Sequence, residues 1–214
     1  MNLTRRDLLA VTAGFGLAAF AGGGLLLGRG KMTGTGAAEM TIEDVLHDPY
    51  NPVLGNPDGK LSIVEYFDYQ CPYCKMGHSM LTRVVAEDGD IRLVMKDWPI
   101  FGAPSVLASQ LVFGAAVSGA YAQAHAALMA TEAKLSEDQI RQVLTESGID
   151  TDAALTAYRA ERDKWDGLLA RNSAQAASLG LRGTPAFIIG ATLHAGALDE
   201  TRLRGAIADA RRGV

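Results

Sequence analysis

The pair Cys71 and Cys74 constrains this chain more than any other feature. They are its only 2 cysteines, and a single C-x-x-C holds both. Before them lies Leu61-Ser62-Ile63-Val64-Glu65-Tyr66-Phe67, rich in β-formers and opened by the Asp58-Gly59 turn, which predicts a buried strand. After them a helix is expected from Pro72 to about Ala86. Pro72 is accepted in a first helical turn, where its missing N–H has no partner to lose. Ile91 to Lys96 reads as the next strand. Strand, helix, strand is the pattern of a parallel βαβ pair.

Placed there, Cys71 sits where unpaired N–H groups and the helix dipole favour a negative group. These should stabilise a thiolate and lower its pKa. The thiolate is the species that attacks a disulfide, and Cys74 is near enough to close the ring and resolve a mixed intermediate. Glu65 lies on the preceding strand. A strand buried on both faces would raise its pKa and make it a proton acceptor or donor for Cys74. A bridge closing so short a loop would constrain little of the unfolded chain, so redox work suits the pair better than a staple.

The rest of the chain supplies the remaining elements. A short helix is expected from Met40 through Leu46, then a loop punctuated by Pro49, Pro52 and Pro57. Residues 105–179 read as helical, with Leu111, Ala115, Tyr121 and Leu128 at helix-like intervals. Ser136 and Gln139 form a capping-box signature. Gly148 and Asp150 mark a break, and one more helix runs from about Asp152 towards Gly180. Ala186-Phe187-Ile188-Ile189 is a strand that turns at Gly190-Ala191 into Thr192-Leu193-His194. Asp199 caps a last helix through Ala210.

The first 38 residues have a different character. Arg5-Arg6 precede an uncharged, Gly- and Ala-rich stretch over residues 8–28, followed by Arg29, Lys31 and small residues at Gly36-Ala37-Ala38. This is the pattern of a twin-arginine-type export signal and tether. The alternative is a membrane anchor over residues 8–28, giving membrane contact through the N-terminal segment. Both place residues 39–214 outside the cytoplasm, periplasmic or extracytoplasmic, where disulfide chemistry is available. The leader carries four bases and the single acid Asp7. With −4 on the whole chain, −7 falls on the remainder. An acidic body argues against nucleic acid as a partner.

The segment from Val64 to Lys75, with Cys71-Pro72-Tyr73-Cys74 inside it, resembles the active site of DsbA-like exported thiol–disulfide oxidoreductases. Arg182-Gly183-Thr184-Pro185-Ala186-Phe187 resembles that family's cis-proline segment. The likeness runs from about Ile42 to the C-terminus. It implies an α/β thioredoxin fold, βαβ…ββα, with a helical subdomain inserted at about residues 104–180. It implies Cys71 as exposed nucleophile, Cys74 as buried partner, Pro185 in cis beside them, and Glu65 as a buried carboxylate. Thr184, Pro72 and Tyr73 would meet substrate, with the backbone of Thr184 pairing with an extended chain. The redox-active disulfide needs no other cofactor. The implied partners are reduced or unfolded exported proteins and a membrane redox partner.

Two residues depart from the strongest oxidants of that family. Tyr73 stands where they often carry histidine, and Thr184 is also found in isomerase-like relatives. The function expected is a disulfide donor, and the alternative is an isomerase or reductase kept reduced by a partner. Such isomerases usually carry a separate assembly domain, and residues 39–59 are too few for one. A third reading is binding of a soft metal such as copper by Cys71, Cys74 and His78, spaced C-x2-C-x3-H. Structural zinc needs a fourth ligand that the sequence does not offer, so no metal site is assigned. Lys75 stands where covalent haem attachment requires histidine. His125 is expected on a helix face near Tyr121 and Met129, and Trp98 as packing.

Overall fold

The structure is a computed structural model that describes residues 41–213. The expected export signal, tether and anchor lie outside the described residues. Among the described residues no helix is long and apolar enough to cross a membrane.

The βαβ unit forms as the sequence predicts. Strands β2 (Leu61–Phe67) and β3 (Ile91–Asp97) run parallel, joined by helix α2 (Pro72–Asp88). Strand β4 (Ala186–Ile189) pairs antiparallel with β2, and β5 (Thr192–Ala195) pairs antiparallel with β4. A further strand, β1 (Val53–Gly55), forms within the proline-punctuated stretch expected to be loop and pairs antiparallel with β3. Its neighbour Pro52 cannot donate a hydrogen bond, but its carbonyl accepts one from the Met95 N–H at 2.9 Å. Proline is tolerated at a strand start for this reason. Gly55 ends β1 at φ 71°, where a Cβ would come within 2.6 Å of the Ile91 carbonyl oxygen.

The sheet order is β1-β3-β2-β4-β5, so β2 is central. Its side chains alternate between two buried faces, which is why it reads as a near-continuous apolar run. Ile63 and Phe67 join Leu93, Met95, Phe187 and Ile189 in the larger core. Val64 and Tyr66 join Val94, Ala186 and Ile188 on the opposite face.

The first short helix is α1 (Ile42–Leu46), opened by a capping box between Thr41 and Asp44, and its Val45 covers that second face. The helical block comprises α3 (Ala103–Val117), α4 (Tyr121–Met129), α5 (Glu137–Glu146), α6 (Thr151–Ala160) and α7 (Arg162–Ser178). The capping box of Ser136 and Gln139 opens α5 as expected. The single helix expected from Asp152 is instead two, broken at Glu161. Neither glycine nor proline stands near the break, so no local signal announced it. The break lets α7 leave α6 and run along the sheet. There Asn172 donates to the Asp97 carbonyl at 3.1 Å, and Gln175 accepts from the Tyr66 hydroxyl at 3.3 Å. The N-terminal half of α7 stays with the block, where Trp165 stacks on Phe113 at 4.8 Å.

Helix α8 (Glu200–Arg212), capped by Asp199, closes the fold against α2. Arg83 pairs with Glu200 at 2.6 Å and Arg211 with Asp88 at 2.6 Å. Exposed pairs of this kind contribute little, being screened by solvent. Burial of Leu203 and Ile207, at roughly 1.5–3 kcal/mol apiece, anchors α8 more firmly.

Candidate active site

Strand β2 delivers the chain to the site. Beyond Phe67, the buried Asp68 carboxylate accepts N–H groups from Gln70 at 2.7 Å, Ile100 at 2.7 Å and Phe101 at 3.1 Å. It ties the loop before the cysteines to the loop after β3. Cys71 is then the N-cap of α2, with extended backbone and no side-chain capping bond, and Pro72 begins the helix. Its sulfur therefore stands at a helix start whose N–H groups are unclaimed.

Pairing of β4 with β2 sets Ala186 opposite Tyr66 and so brings the preceding Thr184 and Pro185 to the same end of the sheet. The Thr184–Pro185 peptide is cis. The Cys71 thiol donates to the Thr184 carbonyl oxygen at 3.2 Å. The Thr184 hydroxyl is buried and has no partner.

Cys71 was expected to be exposed, and here the structure differs. Both cysteines are free thiols, and both are only 1% exposed. The β4 pairing lays Thr184 and Pro185 against the sulfur, while the Cys71 backbone is taken up by the helix cap. What distinguishes the two thiols is their electrostatics. The Cys71 pKa falls to about 6, lowered first by the hydrogen bond from the Cys74 thiol and then, against burial, by Thr184 and the N–H groups of Cys74 and Tyr73. Burial pushes the Cys74 thiol far up, reinforced by its bond to Cys71 and the charge of Glu65.

Glu65 lies where the sequence places it, on the central strand between Met95 and Phe187. It is 1% exposed, and its Oε2 has no partner. Burial, then the charge of Cys71, raises its pKa to about 8. Glu65 and Cys74 together line a small cavity closed by Pro185, Phe187 and Leu203. Its volume of about 10 Å³ matches the space of one water molecule. On the outer side Tyr73, 60% exposed, and Pro72 offer a surface beside the cysteines. A wider cleft of about 450 Å³ runs from Tyr73 along Arg182, Thr184 and Pro185 to Ala195 and Ala197. All seven residues expected at the site thus converge on one end of the sheet.

Several further residues surround the site. Lys75 is buried and donates to the Thr131 hydroxyl at 2.7 Å and the Ala133 carbonyl at 2.5 Å. Asp97, 1% exposed, has no partner for either carboxyl oxygen, and burial raises its pKa to about 8. Its one sequence signal is an acid closing an apolar strand. His125 stacks on Tyr121 as expected, with ring centroids 5.5 Å apart. It also meets the Tyr69 hydroxyl at 3.0 Å, two residues before Cys71. His78 packs against His125, with centroids 5.0 Å apart. Trp98 packs at the edge of the second core and meets Tyr66 edge-on. Among the described residues no three His, Cys, Asp or Glu side chains converge as metal ligands.

Comparison with known proteins agrees with this geometry. Residues 62–208 match the family model of the DSBA-like thioredoxin domain. A thioredoxin-like oxidoreductase from Silicibacter pomeroyi superposes with a TM-score of 0.77 at 33% identity, covering 82% of this chain and 100% of that one. The thiol-disulfide exchange protein alpha-DsbA2 from Wolbachia pipientis gives 0.72 at 27%, covering 78% and 90%. A periplasmic thioredoxin-like protein from Salmonella enterica serovar Typhimurium gives 0.68 at 28%, covering 79% and 95%. Among curated proteins, the chain is 25% identical over 181 residues to the Na(+)/H(+) antiporter NhaA 3 of Salinispora tropica. That match covers 82% of this chain and 27% of the antiporter, so the chain spans about a quarter of that relative's length. The fold, the placement of the two thiols and the match over residues 62–208 together show that the chain belongs to the DSBA-like thioredoxin family of thiol–disulfide oxidoreductases.

Proposed function

We propose that this protein is exported and donates its Cys71–Cys74 disulfide to the thiols of reduced or unfolded exported proteins. The observation that carries the reading is the divergence of two adjacent thiols, one held near pKa 6 and the other pushed far above its ordinary value. A stabilised Cys71 thiolate favours the reduced form, and a pair whose reduced form is stabilised is an oxidant.

The cycle runs as follows. A substrate thiolate attacks the Cys71 sulfur, the Cys71–Cys74 bond breaks, and a mixed disulfide forms. Cys74 leaves as a thiolate in a site that disfavours its charge, and Glu65, kept protonated by burial, gives it a proton across the small cavity. A second substrate thiolate then attacks the substrate sulfur of the mixed disulfide, and Cys71 leaves as the stable thiolate. Two substrate thiols are oxidised by two electrons and the protein disulfide is reduced by two. A membrane redox partner takes those electrons and restores the disulfide. Pro72, Tyr73, Thr184 and Pro185 meet the substrate along the wider cleft. The Arg5-Arg6 leader and the periplasmic relative support an extracytoplasmic location.

An equilibrium titration of the pair in glutathione buffers, read by thiol alkylation and mass, tests the direction. A potential more oxidising than the compartment supports the donor. A strongly reducing potential overturns it in favour of a reductase or isomerase, the role to which Thr184 would also be suited.

A further inference from the structure

The wider cleft beside the thiols carries a charge that the exchange chemistry does not use. Tyr73, Leu181, Pro185 and the small residues Ala195, Gly196 and Ala197 make its walls. Arg182 is the single cation among the lining residues, and no acid lines the cleft.

Arg182 is exposed and unclaimed. Arg83, Arg171, Arg204 and Arg211 each reach a carboxylate of this chain, whereas Arg182 enters no ion pair among the described residues. Nor does it tune the nucleophile. The acidity of Cys71 is set by Cys74, Thr184 and the N–H groups of the helix start, without a contribution from the Arg182 charge. A guanidinium with no internal partner presents its N–H donors to whatever enters the cleft, and its planar fork matches a carboxylate.

The surrounding body has the opposite sign, with a net −7 over residues 39–214. That charge is spread over the surface, so salt screens it beyond about 10 Å at 0.1 M. At contact range inside the cleft the guanidinium decides which side chains are welcome. Arg182 stands two residues before Thr184, whose carbonyl oxygen lies 3.2 Å from the Cys71 sulfur. A chain extended past that sulfur therefore brings to Arg182 a side chain within about two positions of its reacting cysteine, at about 3.3 Å per residue.

Resting on the reading that this protein exchanges disulfides with protein thiols, we propose that Arg182 selects substrate segments carrying Asp or Glu within two residues of the reacting cysteine. The contact is a positioning one. It holds the segment in the cleft while the sulfur chemistry proceeds at Cys71, and it disfavours segments with Lys or Arg at the same place.

Three dithiol peptides, identical except for Glu, Gln or Lys before each cysteine, test this. Each is oxidised by the oxidised full-length protein at about 0.1 M salt, and the rate is read by thiol alkylation and mass. Dividing by the same peptide's rate with hydroxyethyl disulfide, an uncharged oxidant, removes the effect of the neighbour on the peptide thiol itself. The Glu peptide should react about fivefold faster than the Lys peptide, the upper range for one exposed ion pair. Gln should fall between them, and about 1 M salt should shrink the preference. Arg182→Gln should erase the preference and Arg182→Glu should reverse it, with the Cys71 thiolate midpoint unmoved in both. The proposal is overturned if the wild type shows no preference or favours Lys, or if the preference for Glu survives Arg182→Glu. A thiolate midpoint that moves in parallel with the rates also overturns it, because the effect then lies on the thiol. If no peptide is oxidised, the donor reading fails separately. The same ratios, read with reduced protein and the disulfide forms of the peptides, then decide the role of Arg182.

Discussion

Gln70 and Leu135, 65 residues apart, hold each other by two hydrogen bonds. The Gln70 amide donates to the Leu135 carbonyl at 3.2 Å, and its oxygen accepts the Leu135 N–H at 2.8 Å. Gln70 precedes Cys71, and Leu135 lies in the loop that leads from α4 to α5. One side chain thereby takes the place of a strand neighbour and pins the helical block to the site. Gln70→Leu leaves both backbone groups of Leu135 unpaired. We expect a loss of roughly 1–3 kcal/mol in urea unfolding of the reduced protein. An unchanged midpoint would show that the loop finds other partners.

The acidity of Cys71 rests partly on Thr184. As a thiolate the sulfur no longer donates to the Thr184 carbonyl, and the Thr184 hydroxyl is a free donor beside it. Titrating thiolate absorbance in the ultraviolet should give a midpoint near pH 6 for the wild type. Thr184→Val removes one hydrogen bond to a charged group, worth about 1.5–3 kcal/mol. The midpoint should therefore rise by about 1–2 pH units. The redox potential should become less oxidising in step, because the reduced form loses its stabilised anion.

Glu65→Gln tests proton delivery to Cys74. The rate of substrate oxidation under single-turnover conditions should show an inflection above the ordinary carboxylate range in the wild type, set by the buried Glu65 carboxyl. The variant should lose that inflection and slow by about 10²-fold or more below it, the scale of general acid catalysis. A profile identical to wild type would remove Glu65 from the mechanism.

Between about pH 6.5 and pH 8 the stability of the reduced protein should depend on pH chiefly through three groups. Glu65 and Asp97 are both raised to about 8 by burial. Between the ordinary carboxylate range and about pH 8 the folded state binds more protons than the unfolded chain, so their effect is a loss of stability as pH rises. Cys71, lowered to about 6, acts in the opposite sense, adding stability as pH rises from about 6 to its ordinary thiol range. Two acids oppose one thiol, so the unfolding midpoint should fall between about pH 6.5 and pH 8, above the range in which the buried His78 and His125, both lowered by burial, add stability as pH rises. Asp97→Asn, which leaves both cysteines and Glu65 in place, should flatten that fall.

Gly114 permits the close crossing of α3 and α6. A Cβ there would lie 1.8 Å from the Ala154 carbonyl oxygen, which is backbone and cannot swing aside. Gly114→Ala should push the two helices apart and cost about 1–3 kcal/mol, despite the better helix propensity of alanine. Thermal unfolding would record it, and a rise in stability would contradict the close crossing.

The order of the main elements and the candidate site residues were legible in the chain itself. Local signals mark β2, α2, β3, β4 and α8: runs of β-formers bounded by turns, a proline at a helix start and a capping aspartate. The C-x-x-C and Glu65 were legible for the same reason, while the Thr184-Pro185 segment was legible through its resemblance to the family's cis-proline segment. The tertiary structure alone decided what depends on residues far apart in the chain. Strand β1 exists because β3 offers its edge to three residues, too few to mark a strand by themselves. The break at Glu161 exists because α7 must reach the sheet while α6 stays on α3. The burial of Cys71 follows from a strand pair closed across more than a hundred residues. The splitting of the two thiol acidities follows from desolvation and hydrogen bonds that only the assembled fold imposes.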